Sequence, residues 1–113
     1  MPPRSNPLGL NALQLKTLTL LQALAQLPDH AQSQEDGAVR VSQLPRPHGD
    51  HFHLGTAVVL ARDASGLANP AAWAALERKG LIRSEFPLAA VLTREGLAYD
   101  TGQARQILHG ADH

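Results

Sequence analysis

Between Asn69 and Gly96 the chain reads NPAAWAALERKGLIRSEFPLAAVLTREG, and the order of caps, stops and apolar runs there leaves little choice of local structure. Asn69 can accept a backbone N–H at a helix N-cap, and Pro70 suits the first helical position, where its missing donor costs nothing. Pro70 also turns Asn69 away from the α region, as an N-cap requires. Lys79 then Gly80 supplies a cation near the negative helix end and a residue tolerant of left-handed geometry. Leu81-Ile82 starts a strand, and Val91-Leu92-Thr93 ends another on a threonine able to cap a further helix. The segment therefore predicts a helix over 70–79, a tight hairpin and a second helix start. Leu67, Trp73 and Leu76, with Ala72 alongside, form its core anchors, while Ala71, Ala74, Ala75, Glu77 and Arg78 fall on the solvent side.

Upstream, residues 1–9 hold three prolines and a glycine and read as a loose arm. A helix is expected from Asn11 to Leu27, stopped by Pro28, because Asn11 followed by Gln14 is a capping-box pattern. Leu10, Leu13, Thr17, Leu20, Leu21, Leu24 and Leu27 share one face of it, and Leu15 and Leu18 lie on the other. Leucines on both sides mean a helix sandwiched in its own fold or paired with a second chain. Residues 29–37 are polar and read as a loop. Val39 and Val41 alternate with Arg40 and Ser42 in a half-buried strand, and a second alternation runs from His51 to about Val59. From Val58 to Asp63 the pattern fits either a longer strand or a short helix. After Gly96, Leu97, Thr101, Ala104 and Leu108 make a helical stripe reaching about His109, flanked by Tyr99 and Ile107 and interrupted by Gly102.

With 113 residues the chain supports a single domain over 1–113 with one modest core. It has no cysteine, which removes disulfides, thiolate zinc sites and cysteine nucleophiles together. No apolar run approaches the roughly 20 residues of a membrane span, and MPPRSNPLG does not read as a signal peptide, so the cytoplasm is the expected compartment. Ten basic residues balance ten acidic ones, a neutral total that any nucleic-acid surface must segregate onto one face.

Leu76-Glu77-Arg78-Lys79-Gly80-Leu81-Ile82 and Leu92-Thr93-Arg94-Glu95-Gly96 resemble two signatures of the winged-helix regulators of the MarR and PadR type. Their recognition helix typically ends L-x-x-x-G-L-[IV], and their wing typically closes L-T-x-x-G. The resemblance covers about a quarter of the chain. It implies an α+β fold: a winged helix-turn-helix, here with an extra N-terminal strand pair and flanking terminal helices. It further implies a small DNA-binding or transcription-regulatory protein, homodimeric through those terminal helices, with double-stranded DNA as partner.

On that expectation helix 70–79 approaches the major groove with Ala71 and Ala74, methyl groups that touch thymine methyls but discriminate little. Arg78, Lys79, Arg83 and Arg94, with Arg62 nearby, are placed to hold phosphates. The rival reading is a protein–protein interaction module on the same scaffold, which the neutral charge and the alanine face favour. A third is a metal-responsive regulator. His51 and His53 stand two apart on a strand and share a face, and His48 or Asp50 in the preceding turn could add a ligand for zinc, nickel or copper. His30, His109 and His113 join only if the fold brings them near. No Walker loop, dinucleotide fingerprint, nucleophile elbow or HExxH is present, so neither an enzyme nor an organic cofactor is expected. A short wing and a small core leave little room for a substrate-sized cavity.

Overall fold

A computed structural model describes residues 6–45 and 49–110. The chain is a mixed α+β fold built on two antiparallel sheets. Helix α1 (Ala12–Leu24) is followed by β1 (Ala31–Ser33), β2 (Val39–Ser42), β3 (His51–Leu54) and β4 (Ala57–Leu60). A 3-10 helix (Ala61–Ala68) then leads into α2 (Pro70–Arg78), β5 (Ile82–Glu85), β6 (Ala89–Leu92), α3 (Arg94–Ala98), α4 (Ala104–Ile107) and β7 (His109–Gly110). The larger sheet has the order β1-β2-β6-β5, and the smaller one β3-β4-β7.

Helix α1 starts as its capping box requires: the Gln14 N–H donates to Asn11 Oδ1 at 2.8 Å, and the Asn11 N–H donates back to Gln14 Oε1 at 3.0 Å. It ends at Leu24, one turn before the expected stop at Pro28. Leu18 and Leu20, on different sides of the helix, are both fully buried. The two-sided leucine pattern is thus satisfied inside one chain: α1 is enclosed by the 3-10 helix, α2, α3, α4 and β6. Residues 6–9, read as part of a loose arm, are held in place. Asn6 Oδ1 accepts the Leu10 N–H at 3.1 Å and bonds the Tyr99 hydroxyl, and the Leu8 N–H donates to the same hydroxyl oxygen.

The sheets correct the sequence reading in three places. Ala31–Ser33, expected as loop, forms a short strand on β2. The run from His51 to Val59, expected as one strand, is a hairpin: β3 and β4 pair through a two-residue turn at Gly55-Thr56, where Gly55 has φ +63°. The two predicted strand segments do not pair with each other, because β2 lies in the larger sheet and β3 in the smaller. The ambiguous stretch after Val58 resolves as both alternatives in turn, a strand to Leu60 and then the 3-10 helix.

The expected C-terminal helix to His109 is broken. Helix α3 stops at Ala98, Gly102 takes φ +68°, which a right-handed helix cannot accommodate, and His109 pairs with Val58 as a strand. The core contact of this segment is Ile107, 1% exposed, rather than Ala104, which faces solvent.

Candidate nucleic-acid interface

The segment 69–98 is assembled as its caps dictate. Asn69 Oδ1 accepts the Ala71 N–H at 2.9 Å, and α2 runs from Pro70 to Arg78 before Gly80 turns the chain at φ +78°. Trp73 is fully buried, with its indole N–H donated to the Gly66 carbonyl at 3.1 Å. A methyl on Gly66 would meet Thr17 Oγ1 of α1 at 1.7 Å, so α1, the 3-10 helix and the α2 tryptophan meet at a residue without a side chain. Leu67, Ala72 and Leu76 join the core as expected, but Ala75, placed on the solvent side, is 4% exposed. It flanks Leu76 and Ala72 on a helix whose buried face is wider than one stripe.

The two signature segments are locked together at the Gly80 and Leu81 carbonyls. The Thr93 N–H donates to Leu81 O at 3.1 Å, and the Thr93 hydroxyl donates to Gly80 O at 2.7 Å while accepting the Gly96 N–H at 3.0 Å. A Cβ on Gly96 would stand 2.0 Å from Leu81 O. The threonine and glycine of the second segment therefore seat the start of α3 on the glycine-leucine of the first. Glu77 adds a tie, accepting the Ser84 N–H at 2.9 Å.

The exposed flank of α2 carries Ala71, Ala74, Glu77 and Arg78, and Lys79 follows at the C-cap. Arg78 and Lys79 complement the negative helix end, and neither has an ion-pair partner among the described residues. Arg62 is exposed on the 3-10 helix and is likewise unpaired among the described residues.

Arg83 and Arg94 are placed elsewhere. In the larger sheet Arg40, Val91 and Arg83 stand in register, as do Val41, Ala90 and Ser84. Directly paired residues share a face, so Val41, Ala90, Ile82 and Leu92 face the core shared with Trp73 and Leu76, and Arg40 and Arg83 lie on the outer face. There Arg83 Nη1 bonds Asp36 Oδ2 at 3.1 Å and Arg40 bonds Glu85 at 2.9 Å. The Asp36 carboxyl is held below its ordinary value by the Ala38 N–H and then by Arg83. The Arg94 stem packs over Gly37, at the same turn. The seven candidate DNA contacts thus form three groups: Arg62 alone, four residues on α2, and Arg83 with Arg94 at an acidic turn carrying Glu35 and Asp36.

Of the candidate metal ligands, His48 lies outside the described residues. His51 and His53 share a face of β3 with ring centroids 5.6 Å apart, and His51 Nδ1 bonds Asp50 Oδ1 at 3.1 Å, which lowers the Asp50 carboxyl below its usual range. The fold does bring His109 to this sheet: His53, Val58 and His109 stand in register across three strands. Among the described residues no three such side chains converge on one point.

Sequence reasoning missed a groove. Its volume is about 710 Å³, and it lies where the β5–β6 turn faces the 3-10 helix and the exit of β2. The signal was the wholly apolar turn Phe86-Pro87-Leu88, with Leu88 74% exposed.

Neither a family description, nor a curated protein, nor a solved structure matches this chain. No helix among the described residues is long and apolar enough to cross a membrane.

Proposed function

We propose that the chain is a small winged-helix DNA-binding protein of the regulatory type, acting in the cytoplasm. The observation that carries the reading is the order β2-β6-β5 directly after α2: a helix, a hairpin and an earlier strand closing the sheet, with α1 and the 3-10 helix packed behind. In that frame α2 is the groove-facing helix, the 3-10 helix takes the place of the preceding helix, and β5–β6 is the wing. Arg62, Arg78, Lys79 and Arg94 hold phosphates, and the alanine flank reads shape and thymine methyls rather than base-edge hydrogen bonds. Arg83 contributes less, being engaged by Asp36 on the outer sheet face. Binding is therefore weakly sequence-selective and dominated by counterion release.

Anisotropy of a labelled mixed-sequence duplex, titrated from 20 to 200 mM salt, tests this. Four phosphate contacts give a slope of log affinity against log salt of roughly −3 to −4. Replacing Arg78 and Lys79 together by alanine lowers affinity about tenfold and flattens the slope by about 2. Absence of binding at 20 mM salt overturns the reading. It would favour instead a protein-docking module, for which the methyl flank of α2 and the pairing of Arg40 and Arg83 with Glu85 and Asp36 are the supporting observations.

A further inference from the structure

We infer that the groove between the β5–β6 turn and the 3-10 helix is a binding site for a small, uncharged, mostly apolar molecule that also carries hydrogen-bonding capacity. The groove adjoins the proposed wing and Arg62, but its ligand-binding role does not rest on nucleic-acid contact. Three distant parts of the chain build it: Leu44 at the exit of β2, Ala64, Leu67 and Ala68 of the 3-10 helix, and Phe86 and Leu88 of the hairpin turn. Its volume, about 710 Å³, falls within the ~300–1,000 Å³ typical of pockets for small ligands. One wall is held in an uncommon backbone conformation, since Gln43 has φ +55°, the one positive φ at a non-glycine among the described residues. Leu88 stands 74% exposed at the rim, an apolar surface left for something to cover.

The polar groups define the ligand's chemistry. Among the described residues Arg40 is the charged group on the lining, and its Nε and Nη2 both donate to Glu85 Oε1, at 3.2 and 2.9 Å. That pair is neutral overall, so an anionic or cationic ligand gains little charge complementarity from it. Ser42 and Ser65 offer neutral hydroxyls beside the apolar floor, matching an amide, ketone or alcohol. A protein partner is the poorer fit: a stable interface covers about 800 Å² on each side, and this is a single concavity beside one exposed leucine. The groove also has an internal reporter. Phe86 lines it and packs edge-on against Trp73, the chain's single tryptophan, at a centroid distance of 5.0 Å.

Titration of the full chain with Nile red, an uncharged apolar dye with a carbonyl acceptor, tests the assignment. The expected result is saturable one-to-one enhancement of dye emission accompanied by a change in Trp73 emission. Ala68→Phe, which fills the groove from an exposed position, weakens dye binding at least tenfold. Leu88→Ser, at an exposed rim position that leaves the core intact, weakens it severalfold, and Ala98→Phe on α3 leaves it unchanged. Failure to enhance, or enhancement equal in all four proteins, overturns the inference. So does a dimer in sedimentation that dissociates in the Ala68→Phe protein, because the groove would then be filled by a second copy.

Discussion

The unit from Asn69 to Ala98 and the tail from Tyr99 to Gly110 adjoin in the chain and are ordered by different means. In the first, each turn is set by groups within about thirty residues: Asn69 caps α2, Gly80 ends it, and Thr93 and Gly96 close around the Leu81 carbonyl. In the second, Asp100 and Thr101 accept the N–H groups of Gly102 and Gln103, but the docking comes from far away. Thr101 bonds Thr19 of α1, Gln22 of α1 donates to Tyr99 O at 2.8 Å, and His109 pairs with Val58. A segment that carries its own caps and stops holds its shape by short-range chemistry. A segment with fewer of them takes the shape of what it docks on.

That contrast can be broken at its centre with Trp73→Ala, the largest effect expected. The side chain is fully buried and its N–H satisfies the Gly66 carbonyl, so about 3–5 kcal/mol is lost in chemical unfolding. A loss under 1 kcal/mol would show that α2 and the hairpin hold together without their shared core.

A matched pair of glycines sharpens the comparison. Gly96→Ala drives a methyl into a backbone oxygen that cannot move without shifting the hairpin, and costs about 2–3 kcal/mol. Gly102→Ala meets left-handed strain and costs about 1–2 kcal/mol. In hydrogen exchange the first change releases protection throughout 80–96, whereas the second releases it only in β4 and the tail. Equal, global loss in both would erase the distinction.

The smallest effect concerns pH. The carboxyl of Asp36 sits below its ordinary value of 3.8, through the Ala38 N–H first and Arg83 second. A depressed folded-state value means stability present above the unfolded value and lost as pH falls through the folded one. The melting temperatures of wild type and Asp36→Asn therefore differ slightly at pH 7 and converge as pH drops below 3.8. With both side chains about half exposed, the pair contributes little, and a difference that grew on acidification would reverse the sign.

How much was legible follows from the same division. The caps at Asn11, Asn69 and Thr93 and the stop at Gly80 were readable because each is a side-chain or backbone requirement met within four residues. The β3–β4 hairpin was hidden because Val58-Val59 is apolar at both parities: the even-numbered alternation runs on in the sequence through Thr56 and Val58, while the turn moves the buried position to Val59. The tail misled through a stripe that Gly102 interrupts, and its anchor is Ile107, which the sequence placed only on the flank of that stripe. In the candidate interface the exposed flank of α2 was predictable from helical spacing. The separation of Arg83 from that flank was not, since it depends on the register of β5 against β6 and on Asp36 arriving from the β1–β2 turn. The groove escaped for a related reason: its walls come from three places that only the closed fold makes neighbours.

Tyr99 and Asn6, 93 positions apart, share a hydrogen bond, and the Leu8 N–H reaches the same phenol oxygen. The polypeptide is in effect a loop, and this is one of the clasps that fasten it. A stretching force applied between positions 6 and 110 loads that clasp and the β4–β7 ladder before it reaches α1. Mechanical unravelling of this chain accordingly begins with the departure of its last dozen described residues, leaving the hairpin with α2 as the last part to yield.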